Sequence, residues 1–454
     1  MTINSGQLIS PPGAITPIRN DKLVGEHHVH TRCRFCRAEA LHPFLDFGLT
    51  PLAGGFLPAH AALNNYQSER WYPLRACVCR SCFLVQTDTV ISADTLFRNY
   101  FYYSSSIRTL SQHFHDYASA LAQEFHDQTR TAIVEIGCND GVMLKPLKAA
   151  GFTVIGVDPA RNVVLPLIRA GFDIENAFFG ESIAHTIVRR HGQVDVIVAF
   201  NSLAHIDDMH DVMRGVCTLL KPDGILIIEV HDLMVLLQHN QYDMIYHEHV
   251  NYYSLAALEP FLAQFDMVVY DATPIPIHGG SVRYRIQHGR TGTRPISPSV
   301  EHQRQAEDRY GITCLAMYDR FRIRVEKSRQ QLITLLDAHR SEGHRIFGYG
   351  ASGRGTIMSA FCGLDHRYLE AVIDDAPAKQ GARMPGTHLP ITSSDVMRIS
   401  QRPVVILVFA WTFLDEIRKR HPTFLTHGGQ FIVPLPDVYS IPRDVIPSAP
   451  SRSS

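Results

Sequence analysis

Ala132-Ile133-Val134-Glu135-Ile136-Gly137-Cys138-Asn139-Asp140-Gly141 is an apolar run that ends in a glycine-rich turn. A helical pattern follows directly, so the stretch reads as strand, turn and helix. Glycine in such a turn lets the backbone approach a ligand closely, and the helix N-terminus favours an anionic group there. The next strand, Thr153–Val157, runs into Asp158 and Pro159. A carboxylate at that strand end can accept both hydroxyls of a ribose. The turn lacks the G-x-G-x-x-G spacing of a nicotinamide site.

Further strand-like stretches follow at Val194–Ala199, Gly224–Glu229, Met267–Tyr270 and Ser281–Ile286, with helices between the earlier ones. This alternation predicts a doubly wound, mostly parallel α/β sheet. A long helical pattern through Tyr318–His339 leads to a second, shorter α/β segment with strands near residues 345–350, 369–373, 404–408 and 430–434. The expected organisation is a flexible tail over 1–30, a small module over 31–95 that contains two paired C-x-x-C turns, and a cofactor-binding domain over 96–290. A Rossmann-like domain over 291–438 and a flexible tail over 439–454 complete it.

The chain has 454 residues, with 43 Lys and Arg against 44 Asp and Glu. That balance argues against a basic nucleic-acid footprint over the whole chain. No apolar run approaches the roughly 20 residues of a membrane span, and residues 1–20 lack a secretory pattern. The expected location is the cytoplasm, without membrane or nucleic-acid partners, as a monomer or weak homodimer.

Four of the nine cysteines form two knuckles, Cys33-x-x-Cys36 and Cys79-x-x-Cys82. Two facing knuckles complete the four-sulfur shell of structural Zn²⁺ and leave no open position for chemistry. Cys77 is a fifth nearby cysteine, but Cys77-x-Cys79 is a poorer knuckle, so it receives no ligand role.

Two segments concentrate polar side chains. Phe200-Asn201-Ser202-Leu203-Ala204-His205 follows the Val194–Ala199 strand, whose carboxyl end should line the ligand crevice. Tyr246-His247-Glu248-His249-Val250-Asn251-Tyr252-Tyr253-Ser254 follows the Gly224–Glu229 strand. The i, i+2 spacing of His247 and His249 does not match a zinc-protease helix, whereas imidazole suits acid–base work near neutral pH. Extended backbone would point both imidazoles the same way. His278 and Arg283 flank a Gly-Gly turn and could hold a phosphate or simply close a hairpin.

Taken in order, the knuckles, Tyr100-Phe101-Tyr102-Tyr103-Ser104-Ser105, Glu135-to-Gly141, Asn201-to-His205, Tyr246-to-Ser254 and His278-to-Ser281 resemble the nucleotide-sugar C-methyltransferases of deoxysugar biosynthesis. Those enzymes use S-adenosylmethionine and attack C3 or C5 of a 4-keto sugar. The resemblance implies that Glu135, Gly137, Asn139, Gly141, Asp158, Phe179 and Asn201 hold the cofactor. It places the general base on His249, with Glu248, Tyr246, His205 and Tyr100 as helpers. It further implies that the turn Gly348–Gly355, with Arg354, belongs to a domain that binds the nucleotide end of the substrate. Carbon methylation needs a base for the proton beside the ketone and donors for the enolate oxygen, which these residue types can supply. A competing reading is a zinc-ribbon nucleic-acid methyltransferase, because the zinc module carries Arg32, Arg34, Arg37, Arg75 and Arg80. A non-sugar keto substrate is a further alternative.

Overall fold

A computed structural model describes residues 23–58, 69–98, 103–106, 108–399 and 403–441. The N-terminal segment supplies β1 (Leu23–Val24), β2 (His28–Val29), β3 (Leu41–Pro51), β4 (Arg70–Cys79), β5 (Val85–Thr87) and β6 (Thr89–Val90). The central segment supplies β7 (Ala132–Ile136), β8 (Thr153–Val157), β9 (Asp173–Glu175), β10 (Val194–Phe200), β11 (Leu220–His231), β12 (Asn251–Tyr252), β13 (Met267–Ile275) and β14 (Ser281–His288). The last segment supplies β15 (Arg345–Tyr349), β16 (Val372–Ile373), β17 (Ile391–Thr392), β18 (Val404–Val408), β19 (Gln430–Val433) and β20 (Tyr439–Ile441).

The central sheet has the order β9-β8-β7-β10-β11-β14-β13. Only β14 runs against its neighbours, pairing antiparallel with both β11 and β13. Strand β11 is buried without interruption from Ile225 to Val230, as expected of a central strand covered on both faces. The strand order reverses between β7 and β10, so the carboxyl ends of β7, β8, β10 and β11 open onto one crevice. The C-terminal sheet, β17-β16-β15-β18-β19-β20, repeats this parallel design with an antiparallel β20 at its edge.

The first sheet joins β1, β3, β4 and β5 of the zinc module to β12 of the central segment. Asn251 pairs with Gln86 and Tyr252 with Val85, so the segment after His249 is a strand of the zinc module's sheet. Phe35, inside the first knuckle, stacks on Phe261 with centroids 3.9 Å apart. The other face of the sheet, through Phe44, Phe47 and Leu74, shares a core with Tyr318, Phe321 and Phe361 of the C-terminal part. The zinc module is therefore wedged between the other two units.

Three expectations change. The tail over 1–30 contains β1 and β2, which pair with β4 and β6. The tail over 439–454 begins with β20, which continues the last sheet. Residues 246–249 form a turn closed by His249 N–H to Tyr246 C=O at 3.0 Å, not an extended run.

Candidate active site

The cofactor loop is shaped by close packing. Gly137 has φ +77°, and a Cβ on it would overlap Ser202, whose hydroxyl donates to Ile136 C=O at 2.7 Å. Asn139 adopts φ +48° and its N–H donates to Asp158 Oδ2 at 2.9 Å. Asp158 Oδ1 accepts Ala160 N–H at 2.8 Å. These two bonds use two of the four lone-pair positions of the carboxylate and fix its plane across the crevice. Burial raises the Asp158 pKa against those bonds. Glu135 is buried and its pKa is raised well above the usual range, by burial first and then by Asp158 and Asp140. Asn201, also at positive φ, closes the end of β10 through its N–H to Glu229 C=O at 2.8 Å. Phe179 is buried in the central core, while its neighbour Phe178 is exposed, with Arg98 5.6 Å from its ring centroid.

The second cluster forms where the segment after β10 meets the turn at 246–249. Val250 N–H donates to Ala204 C=O at 2.8 Å, and Asn251 Nδ2 donates to Ile206 C=O at 2.8 Å. These bonds set the His205 and His249 rings 5.1 Å apart. Phe97 also stacks on His205, with centroids 5.3 Å apart. His249 Nδ1 lies 3.1 Å from Met244 C=O, which can only accept. Nδ1 therefore carries the proton, and Nε2 presents its lone pair to the Tyr246 hydroxyl at 2.7 Å. Burial holds the His249 pKa well below that of free imidazole and drives His205 to about 4.

Glu248 does not orient His249. Adjacent residues of the turn point apart, and Glu248 faces the zinc module's Gly54, with burial raising its pKa to about 7. His247 also points away, to Pro73 C=O at 3.1 Å. The two imidazoles thus serve different partners. Tyr100 lies outside the described residues, and so does Tyr102.

Two residues here, His231 and Gln241, escaped the sequence reading. His231 ends β11, and neither of its ring nitrogens finds a hydrogen-bond partner among the described residues. Burial pushes its pKa down to about 3, and the neighbouring His278 is pushed to about 4. Gln241 Nε2 donates to Gly279 C=O at 2.9 Å and holds the His278 turn in place. The position of His231 at a strand's carboxyl end was the available signal. Arg283 is not free for a phosphate: it pairs with buried Glu229, which also binds His113 Nε2 at 2.9 Å. Its guanidinium lies 3.4 Å from the Tyr117 ring centroid.

The glycine-rich turn after β15 packs closely on the zinc module at Gly353. A Cβ on Gly353 would sit 3.0 Å from Ala53 of the zinc module. Arg354 leaves this turn for Asp243, 2.8 Å away, which also accepts Trp411 Nε1 at 3.0 Å. The C-terminal unit is thereby anchored beside Met244, whose carbonyl orients His249.

The sulfur atoms of Cys33, Cys36, Cys79 and Cys82 all lie within 4.8 Å of one another. Cys33–Cys82 and Cys36–Cys79 are 3.4 and 3.5 Å apart. A tetrahedral Zn²⁺ with about 2.3 Å bonds requires sulfur separations of about 3.8 Å, so the set fits the ion. Both knuckles turn alike, with Arg37 and Phe83 at positive φ and their N–H groups bonded back to Cys33 and Cys79. Cys77 is outside the cluster. The module's arginines are paired: Arg32 with Glu39, Arg34 with Asp207, Arg37 with Asp208, Arg75 with Asp88. Arg80 Nη2 meets His42 Nδ1 at 3.0 Å.

This sheet order, with its glycine loop and acidic strand end, defines an S-adenosylmethionine-dependent methyltransferase that carries a zinc-binding module. Family models agree along the chain: a domain described as zinc binding over 33–97, a methyltransferase domain over 109–272 and a C-methyltransferase C-terminal domain over 276–436. C-methyltransferase NovU of Streptomyces niveus is 33% identical over 405 residues, covering 89% of this chain and 95% of NovU. The chain belongs to that C-methyltransferase family. A ubiquinone biosynthesis O-methyltransferase of Methylobacterium nodulans is 31% identical over 98 residues, 21% of this chain and 38% of that protein. Among solved structures, magnesium protoporphyrin IX methyltransferase of Synechocystis PCC 6803 matches with 12% identity and a TM-score of 0.29, over 39% of this chain and 79% of that one. No helix among the described residues is long and apolar enough to cross a membrane.

Proposed function

We propose that this C-methyltransferase acts on a nucleotide-linked 4-keto deoxysugar in the cytoplasm and methylates the carbon beside the ketone, at C3 in preference to C5. The observation that carries the reading is the chain Met244 C=O, His249, Tyr246, in which a neutral imidazole keeps an Nε2 lone pair that accepts from the Tyr246 hydroxyl. Bound S-adenosylmethionine supplies an electrophilic methyl group. Glu135, Gly137, Asn139, Gly141, Asp158, Phe179 and Asn201 form its cradle, and Asp158 keeps two lone-pair positions for the ribose hydroxyls.

In the proposed reaction, His249 Nε2 takes the proton from carbon and the carbon's electron pair moves into the enolate. Tyr246, displaced from Nε2 as substrate enters, donates its O–H to the enolate oxygen. His205 packs against His249. The His231 nitrogens, without a hydrogen-bond partner among the described residues, and the His278 turn offer hydrogen bonds to a polar substrate, as a sugar requires. The paired arginines of the zinc module favour this reading over a nucleic-acid substrate.

The test offers a panel of 4-keto nucleotide sugars in D₂O with S-adenosylhomocysteine in place of the donor, and follows deuterium uptake beside the ketone by NMR. Mass spectrometry of the product with the true donor completes it. Uptake that His249→Asn abolishes supports the base assignment. Absence of both exchange and methylated product across the panel would overturn the sugar substrate.

A further inference from the structure

We infer that the C-terminal end of the long helix Leu315–Ser341 carries a second metal site, for a divalent transition-metal ion of the zinc type, built from His339, Glu342 and His344. The site begins as a helix cap. Gly343, at φ +78°, ends the helix, Gly343 N–H bonds Arg340 C=O and His344 N–H bonds His339 C=O, both at 3.0 Å. This pair of backward bonds folds His344 over His339. The result is a near contact of two ring nitrogens: His339 Nδ1 and His344 Nδ1 are 3.2 Å apart. Glu342 Oε2 joins them, 3.2 Å from His344 Nδ1 and 3.9 Å from His339 Nδ1.

Three atoms that can each offer a lone pair therefore converge on one point. A single proton can bridge two of them, whereas a cation satisfies all three. Two of the three separations agree with that occupant, and the third, 3.9 Å, involves the exposed Glu342 carboxylate, which is free to swing inward. Bonds of about 2.0–2.1 Å in tetrahedral geometry place ligand atoms roughly 3.3–3.4 Å apart. Imidazole and carboxylate are ligands that zinc and its neighbours accept. The helix terminus adds its own preference, because the unsatisfied carbonyls there carry partial negative charge. The His339 side chain is only 9% exposed, and its Nε2 has no hydrogen-bond partner among the described residues. The ring is thus held by packing with Nδ1 directed at the cluster.

Three protein ligands leave a fourth position open to water, unlike the closed four-cysteine site. An ion here would tie the helix end to β15, which starts at Arg345, and so fasten the last sheet to the helix that packs on the zinc module. A rival cluster, His28, His30 and Asp207, is less suited, because Asp207 already binds the Arg34 guanidinium at 2.7 Å.

The experiment uses the purified full-length chain with its cysteine site loaded. After equilibration with Zn²⁺ and removal of loosely held ion, metal analysis should give about two zinc ions per chain. His344→Ala and Glu342→Gln, each changed at the helix cap, should give about one. In the parent, added Zn²⁺ should raise the thermal midpoint, and in His344→Ala it should not. Cobalt substitution distinguishes the two sites, because only the thiolate site gives intense sulfur-to-metal absorption. One ion per chain in the parent would overturn the inference. So would a second ion that survives His344→Ala, or one that is lost instead in His30→Ala.

Discussion

The Tyr246 hydroxyl donates to His249 Nε2 at 2.7 Å, while His249 Nδ1 is committed to the Met244 carbonyl. The imidazole is therefore neutral, of one tautomer, and covered by a phenol that, in the proposed reaction, moves before Nε2 takes a proton from carbon. Tyr246→Phe keeps the ring that packs 4.0 Å from His249 but removes the donor. Cofactor binding should persist. Deuterium exchange beside the ketone should fall by about 10²-fold, within the range of one lost oxyanion donor. A Tyr246→Phe variant that exchanges at the parent rate would remove Tyr246 from the reaction.

With His249 as the proposed base, its depressed pKa should set the pH profile. Its proton is disfavoured by burial and by His205, so the base form persists below the usual imidazole value of about 6.5. The acid limb of kcat/KM should therefore lie below pH 6.5 and disappear from residual turnover in His249→Asn. Turnover in that variant should drop by about 10²–10⁴. The same substitution at His205 is the comparison: if it abolishes exchange while His249→Asn does not, the base is His205.

Zinc loss should be felt beyond the knuckles. Cys33 and Phe35 belong to the core that includes Phe261, and Arg34 reaches Asp207 of the central unit. Replacing Cys36 and Cys82 together with Ala should eliminate the thiolate-bound ion and lower the thermal midpoint, because structural zinc contributes folding energy directly. Cobalt absorption in the thiolate region reads the ion. Retention of that absorption in the double variant would reassign the ligands.

The parts of the molecule visible in the sequence are those set by short-range pattern. The run from Ala132 to Gly141 announces strand and turn because apolar residues and glycines adjoin, and the knuckles announce themselves through spacing. The segment around His249 stands out because polar residues crowd it, while the base role proposed for His249 comes from the family resemblance. The conformation of that segment was not visible. Tyr246 to His249 turn because Asp243, just before them, is anchored to Arg354 and Trp411, residues more than 100 positions away. Arg283 looked available for phosphate because its partner Glu229, which His113 also binds, lies on another element. Likewise β12 joins the zinc module only through long-range pairing, so no local signal marks it.

Asp158 and Gly137 should separate cofactor contact from loop geometry. Asp158→Asn retains an acceptor for Asn139 N–H, whereas Asp158→Ala loses both loop bonds and the charge. Calorimetric titration with S-adenosylhomocysteine should show a loss of about 1.5–3 kcal/mol per charge-assisted hydrogen bond in the Ala variant, and a smaller loss in the Asn variant. Gly137→Ala strains φ +77° and collides with Ser202, so it should weaken both folding and binding. Unchanged affinity in Asp158→Ala would show that the ribose is held elsewhere.

His247 should make stability fall on acidification. It is 1% exposed, bonded to Pro73 C=O, and burial pushes its pKa to about 4 from an ordinary 6.5. Above pH 6.5 the ring is neutral in both folded and unfolded chains and contributes no pH dependence. Between 6.5 and 4 the unfolded chain takes up a proton that the folded chain refuses, so unfolding is favoured increasingly as pH falls. The full shift corresponds to about 3 kcal/mol. Glu248 acts with the opposite sign, because its pKa is raised to about 7: the folded chain takes up a proton first, and stability is gained as pH falls from about 7. Comparing the parent with His247→Gln cancels that opposing contribution, since Glu248 is present in both. At pH 7.5 the variant should be less stable by about 1 kcal/mol, the worth of one hydrogen bond. By pH 5.5 that deficit should narrow or reverse, because only the parent carries the buried imidazole. Denaturant unfolding at the two pH values measures the difference, and a deficit that widens on acidification would mean that His247 is protonated in the folded chain.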